Sequence, residues 1–167
     1  MARADDAWKA LSLVIDLIKH AETKAGLTLA ACGAVGGVMY TMVRSVPQPS
    51  AWFGIAAAAC ALLVIGGACC AGLALVPRLR GGPVPANLLY YRHIAAHYLA
   101  DSGAYAGELG TLLKNPDALV ASIADQVWSN SRVARQKYHW AGLAINALLL
   151  ALAALALTAA IGVFQSP

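Results

Sequence analysis

Polar and apolar residues fall along this chain in long blocks. Three stretches, 26–43, 51–76 and 141–164, contain no Asp, Glu, Lys, Arg or His. Each has about 18 residues or more, enough for a helix to cross a hydrocarbon layer about 30 Å thick. A helix of that length in a soluble core keeps a charged face toward water. The pattern therefore predicts three transmembrane helices, with any chemistry in the segments between them.

Those segments read as helices too. Over 5–24, Trp8, Leu11, Ile15 and Ile18 repeat at three-to-four spacing and predict one apolar stripe. Asp5 and Asp6 suit a helix N-terminus, and no Gly or Pro intervenes before Gly26, so this helix is expected to run into the first span. Pro47 and Pro49 in the polar stretch 44–50 predict a tight loop. After the second span, Pro and Gly in 77–85 stop the helix and place Arg78 and Arg80 at the interface. The stretch 86–113 predicts one or two short helices. Asn115-Pro116-Asp117 then opens another, with Asn as N-cap, Pro in the first turn and Asp favouring that end. No breaker follows, so a helix over 116–164 would be about 73 Å long.

Charge sets the expected topology. Of the 12 Lys and Arg, all but Arg44 lie in 1–25 or 77–139. The positive-inside rule makes that side cytoplasmic and puts the C-terminus outside. The fold class is thus an all-α integral membrane protein. Its organisation is a cytoplasmic amphipathic helix (1–25) running into span 1, a hairpin (26–76, spans 26–43 and 51–76), a cytoplasmic helical region (77–139), and a third span with a short external end (140–167). The cytoplasmic parts form a small helical bundle continuous with the spans. A 60% hydrophobic content and a mean hydropathy of +0.64 agree with this class. In a membrane protein a net charge of +4 speaks first to topology and anionic lipid.

Cys32, Cys60, Cys69 and Cys70 all fall inside the spans, without His partners at metal-site spacing, and read as small hydrophobes. The polar, acidic start lacks the basic end and adjacent apolar core of a signal peptide, so the first span reads as retained. No nucleotide-binding glycine loop, nucleophile elbow, HExxH or pair of acids at hydrolase spacing occurs. The expectation is a protein without catalytic residues, metal or cofactor. No span carries an ionisable group for a proton or ion relay. Gly33 and Gly37 form a GxxxG that favours helix association, within the chain or between chains.

Three polar clusters remain. The stripe of the first helix ends in Glu22, one turn before the membrane, with Lys24 following. On the last cytoplasmic helix Leu119, Ile123, Val127, Asn130, Ala134, Lys137 and Ala141 share a face, with Asn130 and Lys137 where apolar residues belong. If the stripes face each other, Glu22, Asn130 and Lys137 form a polar layer. Such residues fix helix register, form a ligand pocket or gating contact, or simply lie exposed at the surface. The run from Gln126 through Trp128, Ser129, Asn130, Ser131, Arg132, Arg135 and Lys137 to Tyr138 has the cations, hydroxyls, amide and ring to hold a phosphate and read a base. The same run would also serve as a basic face toward anionic lipid. His93 and His97 share a helix face with no third ligand, and Tyr90, Tyr91 and Tyr98 around them read as interfacial anchors.

Three segments carry a resemblance to a known family. Ala21-Glu22-Thr23-Lys24-Ala25-Gly26 resembles the A-[ED]-x-K-A-G opening of the Pycsar-effector transmembrane family. Asn87-Leu88-Leu89-Tyr90-Tyr91-Arg92-His93-Ile94-Ala95 looks like that family's stretch after the hairpin. The run Gln126 to Tyr138 is similar to its Q-I-x-x-x-S-x-[IV]-x-x-x-K-Y segment before the last span. Order and layout also agree over nearly the whole chain. The positions matching family motifs are Glu22, Lys24, Asn87, Ser131, Lys137 and Tyr138, and Ser129, Asn130 and Arg135 join them as candidate ligand contacts.

The resemblance implies a bacterial inner-membrane effector of antiphage defence, gated by a cyclic nucleotide such as cyclic CMP or cyclic UMP and acting by membrane disruption or pore formation. With three spans per copy a pore requires several copies, so a homo-oligomer in the lipid bilayer is expected, without DNA or RNA. The alternatives are a non-enzymatic scaffold or accessory protein, for example of plasmid transfer, that binds a protein partner, and a toxin that damages membranes without a ligand.

Overall fold

The computed structural model describes residues 2–76 and 87–165. They form five helices: α1 Ala2–Ser45, α2 Ala51–Leu75, α3 Tyr91–His97, α4 Ser102–Leu113 and α5 Pro116–Gln165. No strand occurs among the described residues. α1, α2 and α5 are each long and apolar enough to cross a membrane. The Pro/Gly stop at 77–85, its arginines Arg78 and Arg80, and Ser166 and Pro167 lie outside the described residues.

Local chemistry sets the helix ends. The Asn115 side chain accepts a hydrogen bond from the Ala118 N–H at 3.1 Å and so caps α5. Ser50 caps α2 through the Phe53 N–H at 3.3 Å, and Asp101 caps α4 through the Ala104 N–H at 2.8 Å. α1 has 44 residues and α5 has 50, about 66 and 75 Å of helix. Each is continuous through the position where its charged part meets its apolar part.

The described residues group into two compact units, one drawn from Met1–Lys19 and Pro77–Arg135, the other from His20–Val76 and Gln136–Pro167. The second unit holds the three apolar stretches. Its core combines many small residues with a cluster of Val35, Met39 and Phe53. On α1, Ala21, Ala25, Thr28, Cys32, Val35 and Met39 are buried, alternating four and three apart. Lys137, Ala141, Ala144, Ala151 and Thr158 are buried on α5, and Phe53, Ala57, Cys60, Gly67, Ala71 and Ala74 on α2. A three-four alternation is the signature of left-handed helix packing. Large side chains such as Leu27, Leu62, Ile65, Leu149 and Leu157 face outward. That arrangement suits lipid, where close backbone approach and van der Waals contact hold helices together.

The tightest approach is at Gly67. A Cβ there would meet Cys32 Sγ at 3.2 Å, the Ala144 carbonyl oxygen at 3.4 Å and Ala147 Cβ at 3.4 Å. The GxxxG glycines behave differently: a Cβ at Gly33 or Gly37 meets nothing within 4 Å. The close contact within the chain thus lies at Gly67, because α1 turns its Cys32 side, away from Gly33 and Gly37, toward α2.

The first unit has a core of Leu11, Leu119 and Ile123, with Ala4, Ala7, Leu89, Leu112 and Val127 packed against it. On α1, Leu11 is buried, but Trp8 and Ile15 stay 42% and 38% exposed. The expected stripe is therefore shifted by part of a turn, because the buried line on α1 follows a seven-residue repeat through Leu11, Ile18 and Ala25.

Candidate functional site

Among the described residues the membrane unit contains one buried charge, and three helices meet at it. Lys137 lies on the buried face of α5, one turn before Ala141. Its ammonium donates to Glu22 Oε1 at 2.8 Å and to the Ala74 carbonyl oxygen at 2.9 Å. Glu22 belongs to α1, and Ala74 to the last turn of α2, where carbonyls have no amide ahead of them within the helix. A cation there also suits the negative end of the α2 dipole. Ala25, Ala74 and Ala141 cluster beside the ammonium, with Leu75 and Trp140 packed on them. Their methyl side chains let the three backbones come close enough for one lysine to reach both partners.

The two sides of the ion pair are unequally wet. The Lys137 side chain is 5% exposed and that of Glu22 is 41% exposed. A buried ammonium needs a counter-charge and filled hydrogen bonds, because an uncompensated buried charge is costly. Glu22 reaches water on its own. In the same unit the Lys24 ammonium lies 5.6 Å from the Tyr138 ring centroid, a cation–π contact. Four of the residues singled out in the sequence, Glu22, Lys24, Lys137 and Tyr138, thus belong to one unit and meet in two contacts.

The other candidates belong to the first unit. Asn87 is buried, and both ends of its amide are used. Its Nδ2 donates to the Ser122 carbonyl at 2.8 Å and its Oδ1 accepts from the Leu89 N–H at 2.9 Å. It clamps the chain before α3 onto α5. Ser131 is exposed and donates to the Val127 carbonyl of its own helix at 2.7 Å, a back-bond that explains how Ser is tolerated in mid-helix. Ser129 and Asn130 are half-buried and Arg135 is exposed. The Arg132 guanidinium lies 5.0 Å from the Trp128 ring centroid.

One feature of the geometry had no side-chain signal: the Ala74 carbonyl, a backbone group that only the meeting of three helices makes relevant. Tyr98, read from the sequence as an interfacial anchor, donates its hydroxyl to Glu108 Oε2 at 2.6 Å. That hydrogen bond holds the Tyr98 phenol above its usual pKa, and desolvation and the Glu108 charge act in the same direction. Glu108 also borders a shallow hollow of about 410 Å³ lined by Leu88, Gly107, Thr111, Leu112, Asn115 and Ala118. His93 and His97 stack with ring centroids 4.2 Å apart, and no group of three metal-ligating side chains occurs among the described residues.

Comparison with known proteins adds two findings. A family model described as the Pycsar effector protein domain matches residues 6–164. The Pycsar effector protein PtPycTM of Propioniciclava tarda is 37% identical over 157 residues, which cover 93% of this chain and 78% of that protein. No solved structure matches the chain. With the match running through all five helices, this chain belongs to the Pycsar effector family.

Proposed function

We propose that this protein is a membrane effector of antiphage signalling that opens when a cyclic nucleotide binds beside Lys137. In this reading α1, α2 and α5 cross the inner membrane. The N-terminus and residues 77–139 face the cytoplasm and the C-terminus lies outside, a reading that the distribution of Lys and Arg supports. The protein damages the membrane by opening a path between several copies, without catalysing a reaction. Family membership favours this reading over a plasmid-transfer scaffold.

The observation that carries the proposal is the joint at Lys137. One ammonium holds α1 and α2 together, and one of its partners, Glu22, is free to move into water. A cyclic nucleotide carries one phosphodiester charge. That anion takes the place of the Glu22 carboxylate, so the buried ammonium stays neutralised in both states while α1 is released from α5. Tyr138 and Lys24 offer a ring and a second cation. Ligand affinity that differs between the two states is all that such a switch needs.

Titration calorimetry of the full chain in a phosphate-free detergent, with cyclic UMP and cyclic CMP as probes, tests this directly. Glu22→Gln removes the internal competitor and should tighten binding about tenfold, whereas Lys137→Met should weaken it by at least about tenfold. Opposite signs from the two partners of one ion pair are the outcome expected. Equal signs, or no binding of either probe to the wild type, overturn the reading. Dye release from vesicles on adding the bound nucleotide then checks the effector step.

A further inference from the structure

We infer that Asn146 joins two copies of this chain through a hydrogen bond between their α5 helices inside the membrane. Asn146 lies five residues beyond Ala141, within the uncharged stretch 141–164. Ala141 packs with Ala25 and Ala74 where the apolar stretches begin, so Asn146 lies about 7–8 Å further along the helix axis. Its side chain is exposed on the surface of the membrane unit, and it makes no hydrogen bond among the described residues.

This position is unusual for an amide. The threonines at membrane depth meet their needs within the chain. Thr28 donates to the Lys24 carbonyl, Thr41 to the Val38 carbonyl and Thr158 to the Ala154 carbonyl. An amide that faces hydrocarbon has neither water nor a partner, and its transfer without a hydrogen bond is costly. Asn146 is too short to reach the headgroups from that depth, unlike Lys or Arg.

A second copy satisfies it for three reasons. The amide carries both a donor and an acceptor, so it complements its own copy across a two-fold axis, and all copies insert with the same orientation. The surface around it is open: a Cβ at Gly142, one turn before Asn146, would meet nothing within 4 Å. A glycine there lets a partner backbone approach closely enough for two short amides to meet. Area is also available, since only 11% of the most apolar stretch of α5 is buried within the chain, against 22% for α1 and α2. Leu149, Ala153 and Leu157 follow Asn146 along the same exposed side and supply the apolar flank of the contact. A single Asn in an otherwise apolar helix interface also sets its register and copy number.

This surface deepens the multi-copy part of the proposed function, and its test uses no nucleotide, so the two fail separately. Full chains labelled with donor and acceptor dyes are mixed in a mild nonionic detergent, and energy transfer is followed as the detergent-to-protein ratio rises. The wild type should associate. Asn146→Leu should weaken association about tenfold while keeping helical content and thermal midpoint, because it swaps an unpaired amide for a lipid-compatible side chain. Asn146→Gln should retain association. Equal association of Asn146→Leu and wild type would mean that Asn146 meets water or lipid instead, and a wild type monomeric at every ratio would mean that no copy pairs there. Either result overturns the inference.

Discussion

Lys137 Nζ and Glu22 Oε1 stand 2.8 Å apart although 115 positions separate them in the chain. That pair closes the membrane unit at its charged end. The same ammonium holds the last turn of α2 through Ala74, so the arrangement of three helices depends on one side chain. The buried partner is the lysine and the wet partner the glutamate.

Gly67→Val should disrupt the membrane unit. Its new side chain would press on Cys32 Sγ and on the α5 backbone, an overpacking that costs about 1–3 kcal/mol in a tight core. At Gly33 an added Cβ meets nothing within 4 Å, so Gly33→Val should leave the thermal midpoint of the purified protein unchanged. Circular dichroism during heating in detergent checks both, and equal effects from the two variants would contradict the packing described.

Asn87→Ala should destabilise the first unit rather than abolish ligand binding. It leaves the Leu89 N–H without its acceptor and frees the clamp on Ser122, a loss of about 1–3 kcal/mol for a buried polar partner. Denaturation curves should shift while affinity for cyclic UMP or cyclic CMP stays within about twofold of wild type. Loss of affinity at unchanged stability would instead make Asn87 a ligand contact.

Tyr98 should titrate late. Its phenol sits above its usual value because it donates to the Glu108 carboxylate. A group whose folded value is raised contributes stability that is fully present below its unfolded value, about 10 for tyrosine. That contribution is lost as pH rises through the higher folded value. Phenolate absorbance during an alkaline titration should lose a late component in Tyr98→Phe, and Glu108→Gln should bring that component down to lower pH. An unchanged titration in both variants would count against the pairing.

The orientation is testable by labelling. In a chain with its four cysteines replaced, Gln48→Cys should react in intact spheroplasts with a thiol reagent that does not cross membranes. Ala121→Cys should react only after the membrane is opened. Both positions are exposed in the structure. The reverse pattern would invert the proposed topology.

Much of the fold is legible in the sequence because the bilayer imposes simple demands. A stretch without charge that is long enough to cross hydrocarbon has few alternatives to a helix. Asn115-Pro116-Asp117 marks the start of α5 by capping chemistry alone, and Asn115 does cap it. Glu22 and Lys137 stand out as polar residues that interrupt apolar stripes, and opposite charges in such places attract one another across a fold. The phase of the α1 stripe was less legible. Trp8 and Ile15 fit a helical repeat as well as their neighbours do, but only contact with the other helices decides which flank is covered.

Sequence alone thus determined the class of the molecule, its three apolar helices, the N-cap of its last helix and the residues able to form its buried ion pair. Those features follow from local composition and from the cost of leaving polar groups in hydrocarbon. Tertiary structure decided which neighbour each face meets. It brought the Ala74 carbonyl to Lys137, made Gly67 rather than Gly33 or Gly37 the close approach, and turned Asn146 outward. A backbone carbonyl, a glycine and a lone asparagine look ordinary in a sequence. Their roles depend on which helices stand beside them, and that depends on contacts between residues far apart in the chain.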